Sequence, residues 1–153
     1  MYAVRLWSVR HARRLSRGYA VFERLLRGAD PLLRRIGYRR LEAPVAAVER
    51  GVKGLLFDCR MCGQCALGAT GLSCPMNCPK SLRNGPCGGV RPDGTCEVVP
   101  SMRCVWVEAW RGSRQLPDGD AIMAVQKPID HRRWGRSAWL AVLRDGPARR
   151  AAP

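Results

Sequence analysis

All eight cysteines of this 153-residue chain fall within fewer than fifty positions, spaced Cys59-x2-Cys62-x2-Cys65-x8-Cys74-x3-Cys78-x8-Cys87-x8-Cys96-x7-Cys104. A C-x2-C-x2-C run lets a short loop carry three thiolates to three corners of a cubane, with a fourth ligand arriving from a distance and often followed by proline. Both Cys74 and Cys78 precede a proline, Pro75 and Pro79. The ring removes an N–H and fixes the direction of the chain away from the ligand. Gly63, Gly85, Gly88 and Gly89 are the expected cofactor-contacting residues, because glycine lets backbone N–H groups approach sulfide and thiolate and raise the reduction potential. Eight thiolates suffice for two fully cysteine-ligated [4Fe-4S] clusters.

Two other chemistries use the same residues. Structural zinc, at one site beside a cluster or at both, is the first. Its usual pattern pairs C-x2-C with a second C-x2-C, whereas the second half here is C-x3-C followed by single cysteines. Disulfides suit the even count and small size, but the dense C-x2-C-x2-C run and the lack of an apolar signal stretch argue against them. The simplest division puts Cys59, Cys62 and Cys65 on one cluster and the others on a second. Cys74 or Cys78 is then free to be the remote fourth ligand of the first.

The rest of the chain offers little competing chemistry. His11 and His131 are the only histidines, both far from the cysteines in sequence, which argues against acid-base or Cys-His catalysis. Asp58 and Glu97 adjoin cysteines and read as solvated or capping groups. No G-x-G-x-x-G motif opens a helix after a strand, so no catalytic residue is assigned.

Charge narrows the partners. Lysine and arginine number 27 against 12 acids, a net charge of +15, and only Lys53, Lys80 and Lys127 are lysine. The arginines are spread over both ends with few aromatics between them, so nucleic acid is not the expected partner. Arginines interrupt every hydrophobic run well short of the roughly 20 apolar residues that a membrane helix needs. The arginine-rich, acid-free stretch through Phe22 suits a transit peptide or a basic helix but no secretory signal, so a reducing cytoplasm is the expected location.

The elements that must position the cysteines form three regions: 1–56, an N-terminal helical segment; 57–110, the cysteine-rich module; and 111–153, an extension with a short helix and a disordered tail. Leu6, Val9, Phe22, Leu25 and Leu26 recur at helical spacing up to Gly28. Asp30-Pro31 opens a short helix that Gly37 ends. A third helix is expected to begin at Pro44, with Val45, Val48, Val52, Leu55 and Leu56 as its buried stripe. Pro92-Asp93-Gly94 predicts a β-hairpin over 90–98. Residues 104–110 suit a strand or a turn of helix, and 137–144 a final amphipathic helix. Trp106, Trp110, Trp134 and Trp139 are either core over the cysteine loops or a docking surface. The expected fold is thus small α+β: a loop-rich iron-sulfur module with one β-hairpin, flanked by short helices. Hydrophobic residues are 46% with the cysteines included, so metal binding is expected to supply much of the folding free energy.

The run 57–65, together with Ser73-Cys74-Pro75-Met76-Asn77-Cys78-Pro79-Lys80, Leu82-Arg83-Asn84-Gly85-Pro86-Cys87-Gly88-Gly89, Gly94-Thr95-Cys96-Glu97-Val98 and 102–108, closely resembles the MetV-like family. This is the cysteine-rich C-terminal domain, or separate small subunit, associated with methylenetetrahydrofolate reductases. The resemblance implies an accessory iron-sulfur electron-transfer subunit in one-carbon metabolism. Its partner would be a methylenetetrahydrofolate-reductase-type flavoprotein, and its electrons would come from a soluble low-potential donor. All eight cysteines stand at matching positions, while the reductase barrel is absent from these residues.

Overall fold

The computed structural model describes residues 2–145. Their regular structure is helical: α1 (Tyr2–Arg10), α2 (Ala12–Gly28), α3 (Asp30–Ile36), α4 (Tyr38–Phe57), α5 (Val105–Ser113) and α6 (Ala138–Asp145). Single turns of 3-10 helix occur at Pro75–Asn77 and His131–Arg133, with a slightly longer one at Gly119–Met123. The disordered tail expected at 146–153 lies outside the described residues.

No strand or sheet occurs among the described residues, so the expected α+β class and its β-hairpin are corrected to a helical scaffold carrying a loop module. Pro92-Asp93-Gly94 does turn the chain, with Gly94 N–H on the Arg91 carbonyl at 2.8 Å. Only isolated bridges follow, Val90 to Cys96 and Thr95 to Arg103. The Cys96 N–H turns instead to Met102 and that of Cys104 to Gly94, both at 2.9 Å, so the segment coils on itself before a ladder can extend. Residues 104–110 resolve as the start of α5, not as a strand.

The N-terminal helices follow the expected punctuation in part. Gly28 is the last residue of α2, and Asp30-Pro31 opens α3. Helix α4, however, starts six residues before Pro44 and carries that proline inside it. Tertiary contacts offset the lost backbone hydrogen bond. The Tyr38 hydroxyl donates to Asp30, and the Glu42 carboxylate accepts from Ser137 N–H at 2.7 Å and from Arg144 at 3.2 Å.

The buried face of α4 also differs from the expected one. Ala46, Glu49, Lys53 and Phe57 point inward, while Val48, Val52 and Leu55 are 60%, 43% and 59% exposed. An apolar stripe at helical spacing normally marks the core side. Here the inward face meets the cysteine loop and α6, where paired charges replace hydrocarbon.

Helix α1 packs between α4 and α5, and α6 closes over α4. Ser8 Oγ donates to the Leu56 carbonyl at 2.8 Å, and Gln115 Nε2 donates to that of Val9 at 3.0 Å. Phe22 of α2 meets Trp139 of α6 with ring centroids 4.8 Å apart. One apolar cluster joins Ala12, Phe57, Leu67, Leu72 and Cys74; another joins Cys104, Trp106 and Ala109. Cysteines therefore belong to both parts of the core.

A close backbone approach joins the cysteine module to α5, where a Cβ on Gly112 would collide with the Gly71 carbonyl. Gly112→Ala should therefore cost about 1–3 kcal/mol in denaturant unfolding, because backbone has to move. Gly54, in α4 with open space around its Cα, is the matched control: Gly54→Ala should add about 0.5–1 kcal/mol. Equal effects of the two substitutions would contradict the described packing.

Candidate metal centre

The first cysteine is positioned by the end of α4. Asp58 takes a left-handed conformation, φ 51° and ψ 47°, and its N–H returns to the Gly54 carbonyl at 3.0 Å. The Cys59 N–H reaches back to Lys53 O at 3.2 Å, so the helix terminus sets where this thiol begins. Met61 is also left-handed, φ 51°, an uncommon state for a non-glycine residue that a tightly constrained loop can hold. That turn points the Met61 N–H at Cys59 Sγ, 3.4 Å away. Gly63, φ 70°, sits where a Cβ would strike the Arg133 carbonyl, so a later segment covers the loop closely.

Four thiols line one cavity. Cys59, Cys62 and Cys65 come from this loop and Cys74 from the turn ahead of Pro75, with Lys53 and Arg83 among the other lining residues. Cys74, not Cys78, thus joins the C-x2-C-x2-C run. Residues 66–77 carry it there: Thr70 Oγ1 lies 3.0 and 2.8 Å from the Ala66 and Ser73 carbonyls, and Ser73 Oγ donates to Val105 O at 2.9 Å. Asn77 Nδ2 donates to Phe57 O at 2.9 Å, tying the far side of the turn to the end of α4.

The surroundings of the sulfurs are rich in donors. Lys53 Nζ lies 3.6 Å from Cys65 Sγ, and Arg83 Nη1 lies 4.0 Å from Cys62 Sγ. Backbone N–H groups of Leu67 and Met76 serve Cys65 and Cys74 as Met61 serves Cys59. Hydrogen bonds to sulfur favour the thiolate and, in a cluster, the reduced state. Cys59 and Cys74 are neighbours in the cavity wall, close enough for their thiols to compete for one proton. That contact, helped by the Met61 N–H and Lys53 and opposed by burial, brings Cys59 down to about 6. The same contact and burial push Cys74 well above the ordinary thiol range. Cys65 is exposed as a residue, yet the atoms packed around its sulfur raise its thiol, with Lys53 pulling the other way.

Beneath Cys65 lies a buried ion pair. Lys53 Nζ and Glu49 Oε1 are 2.5 Å apart with side chains only 5% and 1% exposed. Glu49 Oε2 accepts from Ser137 Oγ at 2.6 Å and Trp139 N–H at 3.2 Å, and Lys53 also lies 5.4 Å over the Trp139 ring. Burial works to lower the Lys53 ammonium, but Cys65 and Glu49 outweigh it and hold the group above its usual value. Burial, reinforced by Cys65, likewise raises the nearby Tyr19 phenol to about 12.

A strap from the C-terminal region closes the cavity's rim. Gln64 Nε2 donates to Pro128 O at 3.2 Å and Gln64 Oε1 accepts from Asp130 N–H at 2.6 Å, while Met61 O accepts from Gly135 N–H at 2.7 Å. Arg83 donates to Gln64 O at 2.7 Å and Lys127 O at 2.8 Å, and Asn84 exchanges two hydrogen bonds with Gln126. Lys53, Glu49, Arg83 and Gln64 have no place in the cysteine spacing. The one sequence signal for Lys53 is a lone lysine among many arginines, six residues before the first thiol.

Of the other four thiols, Cys78 follows the 3-10 turn Pro75–Asn77. Cys87, Cys96 and Cys104 lie in the coiled segment 87–104, where Gly89 N–H donates to Cys87 O at 2.8 Å and Glu97 N–H to Gly89 O at 3.2 Å. Lys80, two residues past Cys78, pairs with Glu97 and lies close enough to Cys87 and Cys96 to be raised by them, after its hydrogen bond to Glu97. Gly85 packs on the Trp106 ring, Gly88 takes φ 68°, and Gly89 lies against the Glu97 carboxylate. Among the described residues, no three His, Cys, Asp or Glu side chains converge as the ligands of a single metal ion. His11 and His131 stack on Trp7 and Trp134. Asp58 pairs with Arg60 at 3.7 Å. Trp106 and Trp139 are buried, whereas Trp110 and Trp134 are 50% and 48% exposed.

Fold and site together define a small helical scaffold domain whose cysteine-rich loops form a thiol-lined cavity. Residues 38–132 match the family described as "Methylene-tetrahydrofolate reductase C terminal", and the chain belongs to that family. No curated protein and no solved structure matches the chain. Among the described residues no helix is long and apolar enough to cross a membrane.

The ion pair gives a direct test of this site's construction. Lys53→Met leaves the Glu49 carboxylate buried and unpaired, and should cost about 3–5 kcal/mol in denaturant unfolding. Combining it with Glu49→Gln should recover a large part of that loss, because no uncompensated charge then remains. A double variant no more stable than Lys53→Met alone would show that the pair is not the source of the cost.

Proposed function

We propose that this chain is an iron-sulfur electron-transfer subunit serving a methylenetetrahydrofolate-reductase-type flavoprotein, with a soluble low-potential carrier as its donor. The observation that carries this reading is the cavity lined by Cys59, Cys62, Cys65 and Cys74, with Lys53, Arg83 and backbone N–H groups directed at their sulfurs. Four thiols around a cavity suit the four corners of a cubane. A bound [4Fe-4S] cluster supplies one-electron transfer at low potential.

The chain's own residues do the remaining work. The four cysteines would hold the first cluster, and Cys78, Cys87, Cys96 and Cys104 the second. Met61, Leu67 and Met76 N–H groups and the two cations stabilise negative charge on the sulfurs, which tunes where the electron rests. The strap through Gln64, Arg83 and Pro128 limits water at one rim, while exposed Cys65 leaves a short path from sulfur to the surface. Exposed Trp110 and Trp134, with arginines around them, supply aromatic anchors and positive charge for an acidic or mixed face of the partner. No residue of this chain makes or breaks a bond in the folate.

Purified anaerobically, the protein should contain about eight iron and eight acid-labile sulfide per chain, the content of two cubanes. Cys59→Ser and Cys74→Ser should perturb the same spectroscopic signal, and Cys96→Ser the other. With the flavoprotein present, addition of this chain should accelerate flavin reduction by a low-potential donor. Zinc without sulfide would overturn the cluster assignment. Equal flavin reduction rates with and without the protein would overturn the relay.

A further inference from the structure

The two groups of cysteines differ in the cations that touch them. In the first, Lys53 lies 3.6 Å from Cys65 Sγ and Arg83 lies 4.0 Å from Cys62 Sγ. In the second, Lys80 stands near Cys87 and Cys96, but it is 39% exposed and bound to Glu97, itself 44% exposed. The cationic hydrogen bonds to sulfur described above, from Lys53 and Arg83, go to Cys65 and Cys62. Exposed charges interact weakly through water and are screened over about 8–10 Å at physiological salt, whereas buried charges act at a much lower effective dielectric. The electrostatic support for added negative charge is therefore concentrated on the first group.

Glu49 does not cancel this support. Its carboxylate lines the same cavity, but it is held by Ser137 Oγ and Trp139 N–H, and it is the Lys53 ammonium that reaches Cys65 Sγ, at 3.6 Å. The ammonium is thus the nearer charge, and the pair presents its positive end to Cys65. At such separations the nearer charge dominates.

Resting on the cluster reading above, we propose that Lys53, oriented by Glu49 and assisted by Arg83, makes the Cys59/Cys62/Cys65/Cys74 centre the higher-potential of the two. An electron entering from a reduced one-electron carrier then leaves that carrier oxidised and comes to rest on the first centre, beside exposed Cys65, which is where a flavin-bearing partner would draw it. Lys53 and Glu49 are positioning residues: neither is a ligand, and both act through Cys65.

The test is a redox titration of the iron-loaded protein followed by electron paramagnetic resonance. The signal of the first centre is identified as the one that Cys59→Ser perturbs. In the wild type this signal should appear at the higher potential. Lys53→Met should shift its reduction equilibrium about tenfold toward the oxidised form, about 59 mV for one electron. Glu49→Gln should move it the opposite way, because it removes the opposing negative charge and leaves the ammonium in place, and Lys53→Arg should stay near wild type. The second signal should be unmoved throughout. If Lys53→Met does not fold, Lys53→Met with Glu49→Gln replaces it and should still titrate below wild type. Opposite shifts distinguish charge from loosened packing, which would displace both variants in one direction. Shifts of the same sign, an unmoved first signal, or a first signal at the lower potential in the wild type would each overturn the inference while leaving the relay reading intact. A protein that takes up no iron would overturn both.

Discussion

A lysine ammonium and a glutamate carboxylate buried together inside a 153-residue protein are expensive to place there, because desolvation removes more than bare attraction returns unless every remaining donor and acceptor is satisfied. Here they are satisfied by Cys65, Ser137 and the backbone of Trp139. That requirement explains much of the surrounding architecture. It turns Glu49 and Lys53 of α4 inward and leaves Val48 and Val52 outward, and it ties the first turn of α6 to α4. The terminus of α4 then launches the cysteine loop from a fixed point. A hydrophobic pair at these positions would pack as well and would supply no charge at the thiols.

What could be read from the sequence follows from which features are local. The cysteine run, the turn at Pro92-Asp93-Gly94 and the α3 boundaries at Asp30-Pro31 and Gly37 depend on neighbouring residues, and their spacing carries them. The hairpin failed because Cys96 and Cys104 find backbone partners in Met102 and Gly94 that no strand pattern announces. Helix α4 was misread at its start and around its axis for one reason: Glu42 and Glu49 are fixed by Ser137 and Arg144, about ninety residues or more away. Val48, Val52 and Leu55 keep helical spacing, so their periodicity was real while its usual meaning did not apply. Lys53 carries no motif, and Arg83, though it lies in the family-like run, is far in sequence from Cys62, because the role of each is defined by a sulfur that the fold brings to it.

The electrostatics of the whole chain and of the site act at different scales. The formal charge of +15 is borne mainly by exposed arginines, whose field is screened by salt and serves encounter with a partner more than the chemistry inside. Of the three lysines, Lys53 is buried against a thiol, separate from that outer field, whereas Lys80, beside two other thiols, is exposed to it. Membership of the methylene-tetrahydrofolate reductase C-terminal family covers residues 38–132, which include α4, all eight cysteines and most of the strap.

The strap has a consequence for biogenesis. Its contacts join Gln64 to Pro128 and Asp130, and Asn84 to Gln126, so they span forty-two to sixty-six positions of chain. A ribosome delivers these residues in order, at about 5–20 per second. The thiol loop therefore emerges seconds before the segment that covers it, and during that interval its rim stands open. A small solute would meet an open rim on the nascent chain and a covered one afterwards. When the rim is covered is thus set by the order of residues along the polypeptide.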